Sequence, residues 1–177
     1  RGHGIAHILM EQVHSRLCEQ GYEGVILVPG QEKLFAFYES MGYRTCTRMG
    51  ELVCSGAPED VQLRRVTPEE YAKERRALFS LIEPGGVLQE GENLAFLATQ
   101  AELYIGQNCL LAAVPDGNTL RGLELLGDHQ TAPAIVQTLG YAMGYFRIRG
   151  QSKPFAMYRP LGSSTLAAPT YFGLAFD

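Results

Sequence analysis

From Gly4 to Glu19 the apolar positions Ile5, Leu9, Val13 and Leu17 recur every four residues, one face of an amphipathic helix. His7, Glu11, His14 and Arg16 fall largely off that stripe, which predicts a solvated face for them. Gly21 supplies a stop. Val25-Ile26-Leu27-Val28 then reads as a buried strand closed by Pro29-Gly30. A second helix is expected from Gln31 to Met41, stopped by Gly42, and Tyr43 to Val53 reads as a strand hairpin.

Ser55-Gly56-Ala57-Pro58-Glu59-Asp60 has linker composition. It predicts three parts: residues 1–55, a linker at 56–61 and a second module over 62–177. In that module Gln62 to Val66 reads as a short strand. Thr67-Pro68-Glu69-Glu70 then combines an N-cap, a proline at the first helical position and the acid of a capping box. A further helix is expected from Glu92 to Glu102. Strands at Cys109–Val114 and Leu120–Leu126 are joined by the turn Pro115-Asp116-Gly117-Asn118. Asp128-His129 falls where a helix start needs polar caps, ahead of a helix from Pro133 to Met143. Strands close the pattern near Phe146–Arg149, Phe155–Arg159 and Tyr171–Phe176. Interleaved helices and hairpins predict an α/β (mixed α+β) fold whose mixed, twisted sheet is flanked by helices.

Composition narrows the function classes. The chain is 46% hydrophobic and 19% charged, with a net charge of −4. That suits a folded globular domain, and predicts neither a nucleic acid nor an anionic membrane as partner. No apolar run approaches the roughly 18 residues of a membrane span. Cys18, Cys46, Cys54 and Cys109 lack CxxC spacing and lie near no histidine at zinc-ligand spacing, so reduced thiols in a cytoplasmic protein and no metal are expected. The chain begins with Arg1 and enters a structured motif at once, which reads as a longer protein extending upstream.

That motif, Arg1-Gly2-His3-Gly4-Ile5-Ala6, is a glycine-containing turn running straight into a helix. Backbone N–H groups converge there, the helix adds partial positive charge, and glycine lets a diphosphate approach. No Gly-Lys-Ser/Thr follows, and the third glycine and the ribose-binding acid of a dinucleotide site are missing. The spacing Arg-x-x-Gly-x-Ala resembles the signature of the GNAT N-acetyltransferases. Downstream, Phe37-Tyr38-Glu39-Ser40-Met41-Gly42-Tyr43 resembles that family's second recognisable stretch, in the same order. Together they cover residues 1 to about 54.

The resemblance implies acetyl-CoA as cosubstrate, with Arg1, Gly2, His3, Gly4, Ile5 and Ala6 around its pyrophosphate. Gln31 stands where the family often has an asparagine on the pantetheine arm. Tyr38 stands where the family has the general acid; a phenol, with an ordinary pKa near 10, can protonate a departing thiolate. The acceptor implied is a primary amine of a small molecule or peptide. In the family the preceding half-domain supplies the strand beside the pantetheine, much of the amine pocket and often a glutamate base, so an open sheet edge is expected here. The second module or another chain, as in a homodimer, would cover it.

Residues 62–150 repeat the family's order of elements, but Leu126-Gly127-Asp128-His129-Gln130-Thr131 lacks the glycine loop. The second module thus resembles a degenerate GNAT repeat, and the tail from Tyr171 to Asp177 resembles the end of bacterial tandem-GNAT proteins. A rival arrangement docks residues 62–127 as the missing half-domain, with Glu124 as base. A non-catalytic acyl-CoA-binding or structural module is the alternative to an enzyme.

Overall fold

The computed structural model describes residues 4–82 and 85–175. In chain order the elements are α1 (Ile5–Glu19), β1 (Gly24–Leu27), α2 (Lys33–Glu39), β2 (Arg44–Thr45), β3 (Arg48–Ser55) and β4 (Leu63–Arg65). Then follow α3 (Pro68–Ile82), α4 (Glu92–Leu97), β5 (Glu102–Gly106), β6 (Cys109–Asp116) and β7 (Thr119–Gly127). A single 3₁₀ turn, His129–Thr131, leads into α5 (Ala132–Thr138), β8 (Met143–Arg149), β9 (Lys153–Pro154) and β10 (Met157–Pro160). The described residues form two compact units: those up to Thr47 with Pro154–Pro169, and Arg48–Lys153 with those from Thr170 onward.

The first unit holds a three-stranded sheet of order β1-β10-β2. The central strand comes from the far end of the chain and runs antiparallel to both neighbours, with Ile26 opposite Tyr158 and Thr45 opposite Met157. Met41, Tyr43 and Met157 form its buried centre, with Met10, Val25, Leu27, Phe35, Phe37 and Tyr38 packed around them.

The second unit holds a seven-stranded sheet, β4-β5-β6-β7-β8-β3-β9. It is mixed: β7 and β8 are parallel, which requires the crossover that α5 supplies, while the pairs β4–β5, β5–β6, β6–β7 and β3–β8 are antiparallel. Ile135 and Val136 of α5 pack on one face against Leu111, Leu120, Leu125 and Phe146. A bulge lies opposite Ala112 and Ala113, which pair with Glu124 and Gly122 and leave Leu123 over. The extra residue switches the alternation of β7. Leu125 therefore joins the α5 face, whereas Glu124 points to the opposite face.

There Glu124 meets Arg75 of α3 through two bonds, Nε–Oε2 at 2.8 Å and Nη2–Oε1 at 2.9 Å, and Tyr171 donates its hydroxyl to Oε1 at 3.0 Å. The Arg75 guanidinium also lies over the Phe79 ring, 4.7 Å from its centroid. Burial, then the Glu124 charge, pushes the Tyr71 and Tyr171 hydroxyls well above their ordinary pKa. Both therefore stay protonated around a carboxylate that only Arg75 neutralises. At the start of α3 the expected capping box closes: the Thr67 N–H donates to Glu70, and the Glu70 N–H donates to Thr67 Oγ1.

Several expectations change. Tyr43–Val53 is no hairpin, because β2 pairs with β10 and β3 pairs along its length with β8. β3 thus belongs to the second unit, and the two units divide the chain elsewhere than at 56–61. That stretch is tied to α5 by Ala57 N–H to Pro133 O and Val61 N–H to Thr138 Oγ1. The expected helix from Glu92 to Glu102 stops at Leu97, since Glu102 opens β5. Tyr171–Ala175 forms no strand, although Tyr171, Leu174 and Ala175 are buried.

The stripe on α1 is largely turned outward, with only Leu17 of its four residues half-buried. Ile5, Leu9 and Val13 remain 62%, 55% and 48% exposed, while His14 is 3% exposed. Periodicity located the helix but selected the wrong buried face.

Two stability outcomes follow. Glu124→Ala leaves Arg75 buried without its anion and should cost about 3–5 kcal/mol in urea unfolding, whereas the pair Arg75→Met/Glu124→Leu should recover most of that loss. Gly127 has φ +90°, and a Cβ there would run into the Asn108 carbonyl oxygen. Gly127→Ala should therefore cost at least about 1–2 kcal/mol in the same measurement.

Candidate active site

Gly4 caps α1 from the left-handed region, φ 66° and ψ 4°, with no side-chain cap on the helix. The first intrahelical bond is Ile8 N–H to Gly4 O, 3.0 Å. The N–H groups of Ile5, Ala6 and His7 consequently have no partner within the helix, and the helix dipole adds positive character around them. Among the described residues, a Cβ at Gly4 would meet nothing within 4 Å. Gly4, Ile5 and Ala6 are exposed; Arg1, Gly2 and His3 lie outside the described residues.

Gln31 is exposed and stands just ahead of α2. Tyr38 sits near the C-terminal end of α2. Its ring stands edge-on to Phe37 at 5.3 Å and edge-on to Tyr43 at 5.6 Å between centroids. Tyr38 is half-buried and belongs to the apolar rim around Met41 and Met157.

Beside Tyr38 lies a polar network not anticipated from the sequence. Tyr43 Oη and His14 Nε2 are 2.7 Å apart, and Arg159 Nη1 lies 2.6 Å from His14 Nδ1. Arg159 also grips Glu11, Nη1 to Oε1 at 2.6 Å and Nη2 to Oε2 at 3.2 Å. A guanidinium only donates, so Nδ1 must accept. Neutral His14 then carries its proton on Nε2 and donates it to Tyr43. Burial first, then the Arg159 charge, lowers the His14 pKa below 6.5, and the opposing pull of Glu11 is smaller. The hydrogen bond from Arg159 lowers the Glu11 carboxyl. Burial raises Tyr43 to about 12. The expected solvated face thus holds for His7, which is exposed, and fails for His14, whose ring nitrogens find partners only inward.

Glu124, the base of the rival arrangement, cannot act as one: it is fully buried and both carboxylate oxygens are bonded. Among the described residues, no strand from 62–127 enters the sheet that contains β1. The four cysteines are free thiols, and His129 follows the Asp128 side chain that accepts the Gln130 N–H at 2.9 Å. Among the described residues no cluster of three or more His, Cys, Asp or Glu could hold a metal, and no helix is long and apolar enough to cross a membrane.

A family model for the acetyltransferase (GNAT) domain matches residues 1–52. The GCN5-related N-acetyltransferase of Kribbella flavida is similar in structure at TM-score 0.65 and 17% identity, over 90% of this chain and 48% of its own. A conserved protein of Enterococcus faecalis V583 gives 0.63 and 17%, over 91% and 51%. The GCN5-related N-acetyltransferase of Anabaena variabilis ATCC 29413 gives 0.63 and 12%, over 90% and 51%. The chain spans about half the length of these structures. No curated protein is significantly similar in sequence. Its first 52 residues match the GNAT acetyltransferase domain model, and the chain has the fold seen in the GCN5-related N-acetyltransferase structures.

Proposed function

We propose that this chain contributes the coenzyme-binding part of an acetyl-CoA-dependent N-acetyltransferase acting on a primary amine of a small molecule or peptide, in the cytoplasm. The observation that carries this reading is the left-handed, uncapped Gly4 at the start of α1, inside the segment matched as a GNAT domain. A pyrophosphate there would take the N–H groups of Ile5 and Ala6, with Arg1, Gly2 and His3 completing the loop and Gln31 reaching the pantetheine arm.

In the reaction the amine nitrogen attacks the thioester carbonyl. A C–N bond forms, the C–S bond breaks, and the sulfur leaves as a thiolate. Tyr38 Oη–H protonates that thiolate, while the nitrogen releases its extra proton to a base outside the residues assigned here. Tyr38 suits the task by position. It is half-buried, and its ring is held by Phe37 and Tyr43. His14 lies nine residues beyond Ile5, roughly 13 Å along a helix. Tyr43, bonded to His14, and Tyr38 against it therefore stand away from the first turn of α1.

Calorimetric titration with acetyl-CoA should show one site. Gly4→Val, forced into a conformation that β-branched residues avoid, should weaken that binding about 10-fold or more. Tyr38→Phe should bind acetyl-CoA with near-wild-type affinity and lose about 10-fold or more in turnover. A wild-type chain that takes up no acetyl-CoA would overturn the assignment, and unchanged turnover in Tyr38→Phe would leave that ring a packing residue.

A further inference from the structure

α1 is held to its unit in an unusual way. Ile5, Leu9 and Val13 of its apolar stripe face outward, and the side chains it turns inward are Met10, Glu11, His14 and Leu17, of which only His14 is fully buried. Apolar burial on that face is small, so the orientation of α1 depends on the polar contacts of Glu11 and His14. Both run to one residue, Arg159 on β10, separated from His14 by 145 positions in sequence. The stem of Arg159 also passes the turn after α2: a Cβ built at Gly42 would lie 3.7 Å from Arg159 Nε and 3.9 Å from Cδ. Arg159 therefore touches the helix that begins at Gly4 and the turn that follows Tyr38.

We propose that Arg159 is a positioning residue for acetyl transfer, which, by gripping Glu11 and His14 at once, sets the first turn of α1 in register with Tyr43 and hence with Tyr38. This rests on the acetyl-CoA reading of Gly4 and Tyr38. Arg159 touches no reacting atom; it acts through α1 and the His14–Tyr43 bond. The bidentate grip on Glu11 fixes the guanidinium plane, and the remaining donor direction of Nη1 goes to His14. His14 then passes the constraint to Tyr43, against which Tyr38 stacks edge-on.

The arrangement works only while His14 is neutral. The groups facing it are Glu11 on its own helix, Arg159 on β10 and Tyr43 after α2, with Tyr38 beyond Tyr43. Protonating Nδ1 would set an imidazolium against a guanidinium and end the Arg159–His14 contact. Because the folded pKa lies below the unfolded value, stability from this contact is full above about pH 6.5 and falls as pH drops toward the folded pKa. Acetyl-CoA affinity of the folded chain should fall lower on the acid side, as pH passes through the folded pKa of His14.

The test compares wild type, Arg159→Lys, Arg159→Met and His14→Gln. Readouts are acetyl-CoA affinity by calorimetry across pH, kcat and KM for acetyl transfer, thermal melting, and His14 imidazole titration by NMR without coenzyme. Arg159→Met, still folded by its melt, should lose about 10- to 100-fold in kcat/KM, the scale of a small misplacement far from the chemistry. Its His14 titration should move up toward the ordinary value. Arg159→Lys, a point charge that cannot serve Glu11 and His14 together, should recover part of the loss. In His14→Gln the amide can accept from Arg159 and donate to Tyr43 but cannot titrate, so the acid-side fall in affinity should disappear.

Arg159→Met with affinity and kcat/KM within about twofold of wild type overturns the proposal, whatever its melting temperature. If Arg159→Met does not fold, an unchanged acid-side fall in His14→Gln overturns it instead. A wild-type chain that binds no acetyl-CoA overturns the function reading together with this one, whereas normal binding that ignores Arg159 overturns this one alone.

Discussion

The first unit depends on a single strand insertion. β1 and β2 are not hydrogen-bonded to each other; each pairs with β10. Remove β10 and the sheet has no ladder, Met157 leaves the centre of the cluster around Tyr43, and Arg159 leaves α1. The segment matched by the GNAT domain model is thus completed by residues more than a hundred positions away. Closing so long a loop costs little more than closing a shorter one, because the entropic cost grows only with the logarithm of length. It is offset by two antiparallel edges paired at once, apolar burial of Met157, and the Arg159 contacts.

The second unit solves another problem. A sheet with helices on both faces needs apolar positions on both, and β7 is buried along nearly its whole length. The bulge at Leu123 lets a carboxylate enter that buried run on the face opposite α5. Once there it must be neutralised, and Arg75 does so with two hydrogen bonds while Tyr171 supplies a third. Nothing about this cluster is open to a substrate. Glu124 is better understood as the anchor that fixes α3 and the Tyr171 segment against the sheet than as chemistry.

Local signals served the sequence reading well and distant ones did not. Thr67 and Glu70 announce a capping box, and Gly117-Asn118 a hairpin, because each depends on neighbours a few residues away. The order of α1, β1 and α2 was legible for the same reason. The partner of β2 was not, since Phe155–Arg159 reads as a strand without saying where it goes. Nor was the buried side of α1. Hydropathy ranks Ile5, Leu9 and Val13 above His14, but the inward pull on His14 comes from Tyr43 and Arg159, contacts that no window on the helix contains. Arg159 itself carries no signal at all: one arginine in a short strand is ordinary until its two acceptors, Glu11 and His14, are found on another element.

The two Arg–Glu pairs show why burial, rather than ion-pair chemistry, decides what each can do. Arg75–Glu124 is enclosed, 1% and 0% exposed, so its two charges cannot separate without a desolvation cost of several kcal/mol each. It acts as a permanent joint. Arg159–Glu11 has side chains 23% and 42% exposed, and water and salt screen it. Such a pair alone would set the pose of α1 weakly. What makes the pose specific is the third contact, to a buried imidazole with one nitrogen committed to Arg159 and the other to Tyr43. A neutral acceptor costs less to bury than a second carboxylate and still demands a defined direction from its donor. The exposed ion pair therefore holds Arg159 near α1, and His14 converts that proximity into a fixed angle between the helix and the tyrosines beside it.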